Sequence, residues 1–170
     1  MKKYISMLMF AAMAVFGLNS CSLETDEEPG GTNVQDMAGF WDVTIVVLNS
    51  DGTVTPAAAG EFNLRTYNTA QNVDNNMWMD LNCGNAFWNM KFIIPINYGA
   101  KTFSCNDTKY DVNDENAGNV TITEGRVLLK KGHNIHGMPA DSIVFNAKFS
   151  DDTKNLTYRI AGTRHSGFTE

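Results

Sequence analysis

Few residues in this chain have the types and spacing that chemistry requires. His165-Ser166 and Asp141-Ser142 set hydroxyls beside polar partners, and Ser166, His165 and Asp141 are the residues a hydrolase would draw on. Neighbours along a strand point to opposite faces, so sequence adjacency is poor geometry for a nucleophile–base hydrogen bond. The Gly-x-Ser-x-Gly elbow that joins a strand to a helix in α/β hydrolases is absent. His133-x-x-His136 could bring two imidazoles to one ion, but it lies between Gly132 and Gly137 and reads as a turn rather than a helix. The acids from Glu24 to Glu28 lack the spacing of an EF-hand loop. The expectation is no catalytic residue, no metal ligand and no cofactor.

Cysteine carries a different chemistry. Met1-Lys2-Lys3 opens the chain, an uncharged and mostly apolar run extends from Tyr4 to Gly17, and Leu18-Asn19-Ser20-Cys21 follows. This is the layout of a secretory signal peptide over residues 1–20, too short and wrongly flanked for a stable membrane span. Its ending resembles a bacterial lipobox, with Leu at −3, a small residue at −1 and Cys as the first mature residue; Asn19 at −2 departs from the usual small side chain. The resemblance implies a lipidated Cys21 and a membrane partner reached through that anchor. Several acyl chains on one residue hold a protein on a bilayer far more firmly than one. Cys83 and Cys105 remain, 22 residues apart. In an oxidising compartment they could form a disulfide contributing about 3 kcal/mol, the alternative being two independent buried thiols.

Removing residues 1–20 leaves 150 residues with 11 basic and 19 acidic side chains, a formal charge of −8. That length suffices for one domain with a core. No basic stripe runs through it, which argues against nucleic acid as a partner. Aromatic residues at 11% and the hydrophobic content argue against disorder. Residues 21–35 combine the acids Glu24, Asp26, Glu27 and Glu28 with Pro29-Gly30-Gly31, a flexible acidic tether. Acids placed just behind a lipidated Cys also resemble the surface-export signal of Bacteroidetes lipoproteins, which implies an outer-membrane location facing outward. The alternative is a merely solvated spacer.

From residue 36 to 170 the pattern has a period of two. Trp41, Val43, Ile45 and Val47 alternate with Asp42 and Thr44; Met77, Met79 and Leu81 alternate with Trp78 and Asp80; Trp88, Met90, Phe92 and Ile94 alternate with Phe87, Asn89 and Lys91. Glu61–Tyr67, Val120/Ile122, Val127/Leu129, Ile143–Phe149 and Leu156–Ile160 continue the series. Such alternation marks half-buried antiparallel strands. Turn residues separate them at Asn49-Ser50-Asp51-Gly52, Asn82-Cys83-Gly84-Asn85, Asn97-Tyr98-Gly99, Glu124-Gly125 and Ser150-Asp151-Asp152. The expected fold is all-β, an antiparallel barrel or sandwich of about eight to ten strands with no major helix. Gly99–Asn119 reads as one short strand, Thr102–Cys105, and a long loop.

Gly39-Phe40-Trp41 at the head of the first strand resembles the start of lipocalins and other calycins. The resemblance implies a Trp41 that closes one barrel end beneath an arginine from the last strand, Arg159 or Arg164. The segments Asp141–Asp152 and Tyr158–Phe168 resemble a Bacteroidetes family of lipid-binding putative hydrolases with lipocalin-like barrels, whose chains also carry a lipidated Cys, an acidic tether and a Gly-x-Trp strand. That likeness spans most of residues 36–170 and is loose between Asn49 and Asn119. It implies a fold more than an activity. Asp141-Ser142-Ile143 also resembles an O-glycosylation acceptor of the same bacteria.

An eight-stranded barrel can hold one small ligand. Met77, Met79, Trp88, Met90, Phe92, Phe145 and Tyr158 could line a soft apolar pocket, or simply pack the core. The sequence therefore supports a membrane-anchored barrel for a small apolar or amphipathic ligand. Two other readings stay open: an accessory protein of a surface nutrient-uptake complex, binding glycan or a protein partner through Tyr67, Trp78, Tyr98 and Tyr110, and a hydrolase.

Overall fold

The computed structural model describes residues 30–167. Cys21, the leader over residues 1–20 and the acidic part of the tether lie outside the described residues. Nine strands run in chain order: β1 (Gly39–Leu48), β2 (Val54–Pro56), β3 (Phe62–Tyr67), β4 (Asn76–Asn82), β5 (Met90–Asn97), β6 (Thr102–Lys109), β7 (Asn119–His133), β8 (Pro139–Phe149) and β9 (Tyr158–Arg164). In the sheet the order is β2-β1-β3-β4-β5-β6-β7-β8-β9 with every adjacent pair antiparallel, and β9 returns to β1 with Trp41 opposite Arg164 and Val47 opposite Tyr158. The result is a closed eight-stranded antiparallel barrel, with β2 an extra strand on the end of β1. Closure leaves the eight barrel strands without a free edge, the usual liability of an antiparallel sheet.

Alternation decides what faces inward. Trp41, Val43 and Ile45 of β1, Met77, Met79 and Leu81 of β4, and Met90, Phe92 and Ile94 of β5 all point into one core. Ile143, Phe145, Ala147 and Phe149 of β8 and Tyr158 and Ile160 of β9 complete it. Gly162 sits where β9 meets β1; a methyl group there would lie 1.8 Å from the Asp42 carbonyl oxygen, so only glycine lets the two strands close.

Several segments differ from the sequence expectation. The fourth strand of the core starts at Met90, not Phe87, because the Asn89 side chain accepts the Cys83 amide at 2.7 Å and donates to the Gly84 carbonyl at 3.0 Å. That clamp holds Cys83–Asn89 as a loop. Glu124-Gly125 is not a turn but a bulge within the 15-residue β7, with Glu124 at φ 56° and a register shift between Thr123 and Arg126. β6 runs on to Lys109, irregularly paired with β7. Core packing also starts ahead of residue 36, since Val34 and Met37 in the turn before β1 are fully buried.

Candidate functional site

The two rims of the barrel are closed by different means. At the rim where β1 begins, the Met37 carbonyl accepts the Thr66 hydroxyl at 2.6 Å, and Thr66 in turn accepts the Trp41 indole N–H at 2.8 Å. The Arg164 guanidinium lies 4.7 Å from the Trp41 ring centre. Its Nη1 donates to the Ala38 carbonyl at 2.7 Å and its Nε to Asp141 at 3.0 Å. Arg164, rather than Arg159, thus covers Trp41; Arg159 donates to Asn146 on the outer wall at 3.1 Å. A methyl group on Gly39 would come within 2.7 Å of Arg164 Nη1, which is the physical reason a glycine precedes the Trp by two. Lys101 reaches Asp36 at 2.8 Å, and this ion pair, hydrogen-bonded as well as charged, holds the Asp36 carboxyl below its usual value. Backbone, ion pair and cation–π contact all lock this rim.

The opposite rim is closed by a cluster of aromatic side chains. Trp88 stacks on Phe149, 4.6 Å between centroids and 7° between planes. Phe87 meets Trp88, Phe149 and Tyr158 edge-on at 5.0, 5.6 and 5.0 Å. Tyr110 packs edge-on against Phe149 at 5.5 Å. Phe87 and Trp88 sit in the Cys83–Asn89 loop and stay half-buried, with an open hollow against Asn85 and Ala86. Asp151, itself exposed, fastens the cluster by accepting the Trp88 indole N–H at 3.1 Å and the Tyr110 hydroxyl at 2.8 Å. Asp152 accepts the Tyr158 hydroxyl at 3.0 Å.

These contacts shape the titrations. Burial first, and then the hydrogen bond to Asp152, push the Tyr158 phenol up to about 12. Burial and Asp151 raise Tyr110 in the same direction. Burial alone would raise the Asp152 carboxyl, but the Leu156 and Lys154 amides and the Tyr158 hydroxyl donate to it and bring it below its usual value.

Between the rims the core is packed. Met77, Met79, Met90, Phe92 and Phe145 have at most 1% of their surface open to water. Trp88 and Tyr158, grouped with them by the sequence, also take part in the aromatic cluster at the rim.

His165 pairs through Nδ1 with Asp42 at 2.8 Å on the outer wall, whereas Asp141 holds Arg164 and accepts the Lys130 amide. Among the described residues no group of three or more His, Cys, Asp or Glu side chains could hold a metal ion. Cys83 and Cys105 are both free thiols, so the disulfide left open by their spacing is not made; burial pushes Cys83 up to about 12 and raises Cys105. Of the aromatics considered as outer platforms, Tyr110 is buried in the rim cluster. Tyr67 and Trp78 stack on the outer wall 6.2 Å apart, and Tyr98 lies beneath the Lys101 ammonium. Sequence reasoning missed Phe87, Phe149 and Asp151 as rim residues. The turn signal Ser150-Asp151-Asp152 marked a loop, with nothing local to show that it faces Trp88 across the barrel.

A family model described as lipid-binding putative hydrolase matches residues 26–169, and the chain belongs to that family. No match was found among curated proteins.

Proposed function

We propose that this protein is a membrane-anchored lipoprotein, lipidated at Cys21, whose barrel takes up a small apolar or amphipathic, lipid-like ligand. Uptake occurs through the rim closed by Phe87 and Trp88. The carrying observation is the asymmetry of the rims: one is locked by backbone and an ion pair, the other by a Trp–Phe stack tied to one exposed carboxylate. An apolar chain has only the second route inwards. The family description supports a lipid-like ligand. Because the resting core is packed, the ligand must displace side chains. Met77, Met79 and Met90, on adjacent β4 and β5, are suited to that, since unbranched thioethers change shape at little cost. Nothing in this reading requires a cofactor or a catalytic step.

The test is titration of the purified protein with a fatty acid and a lysophospholipid, followed by tryptophan emission. Trp88 should leave its stack on Phe149 and shift the emission, and Trp88→Phe should remove most of that signal. Saturable binding with no change attributable to Trp88 would overturn the assigned route. For the anchor, Cys21→Ala should release the protein from membranes; unchanged association would overturn that part.

A second reading rests on Tyr67 and Trp78, stacked on the outer wall beside Ile93, which is 42% exposed. Such a face suits the stacking of a sugar ring in a glycan-binding accessory protein. Oligosaccharide binding lost in Trp78→Ala and kept in Trp88→Phe would favour it.

A further inference from the structure

The β7–β8 hairpin stands apart from the rest of the surface. Past the Val127 amide, which donates to the Lys101 carbonyl at 2.9 Å, β7 is paired with β8 and no longer with β6, and at Gly132 it lies against Thr163 of β9. The pairing of β8 with β9 ends at Ser142 and Thr163. The tip of the hairpin, residues 133–139, therefore extends beyond the rim as a two-stranded finger. Its tip is built rather than loose: the Asn134 amide donates to the Met138 carbonyl at 2.9 Å, and Asn134 Oδ1 accepts the amides of His136 and Met138.

Two properties coincide on this finger. Of the seven large apolar side chains most exposed among the described residues, four lie within it or at its base: Leu128 at 37%, Leu129 at 41%, Ile135 at 56% and Met138 at 51%. In a chain with 19 acidic residues, the stretch 125–140 contains Arg126, Lys130 and Lys131 and no Asp or Glu. Of the two acids that flank it, Glu124 lies 3.8 Å from Arg159 and Asp141 pairs with Arg164 at 3.0 Å. Exposed aliphatic groups interleaved with lysines are the composition of a segment that rests in a bilayer interface, apolar groups among the acyl chains and ammonium groups at the phosphates. The described chain also enters the barrel at this rim, through the Thr32–Met37 turn.

We infer that the β7–β8 hairpin is a second membrane contact, seating Leu129, Ile135 and Met138 in an anionic lipid surface with Lys130 and Lys131 on its headgroups. It acts independently of the acyl anchor proposed for Cys21. It also leaves the Trp88 rim facing away from the bilayer that carries the hairpin. An acidic protein or a second copy of this chain are the competing occupants, and the experiment separates them.

The full chain with Cys21→Ser, which has no acyl site, receives an environment-sensitive dye at Ile135→Cys. A parallel sample carries the dye at Thr55→Cys on the opposite rim, and labelling of the Cys21→Ser parent is subtracted. Vesicles of phosphatidylcholine with phosphatidylglycerol should shift the Ile135 dye to the blue, and phosphatidylcholine alone should not. Lys130→Asn with Lys131→Gln should weaken partitioning about 30-fold, from roughly one kilocalorie for each lysine at an anionic surface. Asn suits position 130 because the backbone there has φ 55°, and an unchanged circular dichroism spectrum checks the fold. The inference is overturned by vesicle binding without a shift at Ile135, by an equal shift at Thr55, or by a shift that needs no vesicles and grows with protein concentration.

Discussion

The Arg164 guanidinium lies 4.7 Å from the centre of the Trp41 ring, and Gly39 leaves the space that lets it do so. Four interactions meet in one side chain: a cation–π contact, the ion pair with Asp141 and hydrogen bonds to the Ala38 and Asp36 carbonyls. Arg164→Met should therefore cost about 2–4 kcal/mol, from the lost cation–π contact and the half-buried Asp141 left unpaired. Arg164→Lys should recover little, since an ammonium lacks the planar fork that serves Asp141 and Ala38 together. Urea unfolding of both variants checks this.

Barrel closure depends on a second glycine. Gly162→Ala places a methyl group 1.8 Å from the Asp42 carbonyl oxygen, contact with rigid backbone rather than a movable side chain. The β1–β9 ladder must part to admit it. The expected loss is about 3 kcal/mol or more, above the usual range for a single methyl group because strand pairing is disrupted as well. Hydrogen exchange should show faster amides in Val43 and Ile160; protection as in the parent would contradict the account.

Asp151 is the latch of the Trp88 rim. Asp151→Ala removes the acceptor for both the Trp88 indole and the Tyr110 hydroxyl, with little loss of packing because Asp151 is exposed. Stability should fall by about 1.5–3 kcal/mol, the range for a hydrogen bond to a charged group. The rate of ligand uptake in stopped-flow fluorescence should rise. A slower or unchanged rate would mean that the Trp88 loop does not gate entry.

Alkali should loosen the same rim. Tyr158 in the folded protein titrates near 12, above the ordinary phenol value of 10. The folded state thus prefers the protonated phenol, and its contribution is complete below pH 10 and lost as pH rises from 10 through 12. Thermal unfolding by circular dichroism should show a midpoint that falls through this window. Tyr158→Phe should flatten the fall and, by losing the hydrogen bond to the Asp152 carboxylate, lower the midpoint at neutral pH as well.

The hydrolase reading has its own outcome. With Asp141 committed to Arg164 and His165 to Asp42, Ser166→Ala and His165→Ala should leave any turnover of a short-chain chromogenic ester at the parent level. A drop of a hundredfold or more, the size of a lost nucleophile or general base, would restore a catalytic role.

Much of the fold is legible in the sequence because strand alternation is a local signal. Met77, Met79 and Leu81 point inwards for the same reason that Trp78 and Asp80 point outwards, and no distant contact is needed to settle it. The Gly39-x-Trp41 pair likewise carries its own rationale once an arginine is expected above it. Phe87 and Trp88 show where the local signal misleads. They continue the alternation of β5 perfectly, yet the Asn89 side chain ties their segment into a loop. Glu124-Gly125 misleads in the other direction, since a turn and a bulge demand the same backbone freedom.

The amino-acid order by itself determined the all-β class, the inward set of side chains and the excess of acid, all of which follow from neighbours along the chain. Tertiary structure alone decided that β9 closes on β1 over Gly162, that Asp151 meets Trp88 across 63 residues, and that Ile135 and Met138 are left exposed at the hairpin tip. Each of these depends on where distant strands end relative to one another. Register across a closed barrel fixes that, and no stretch of the chain encodes it alone.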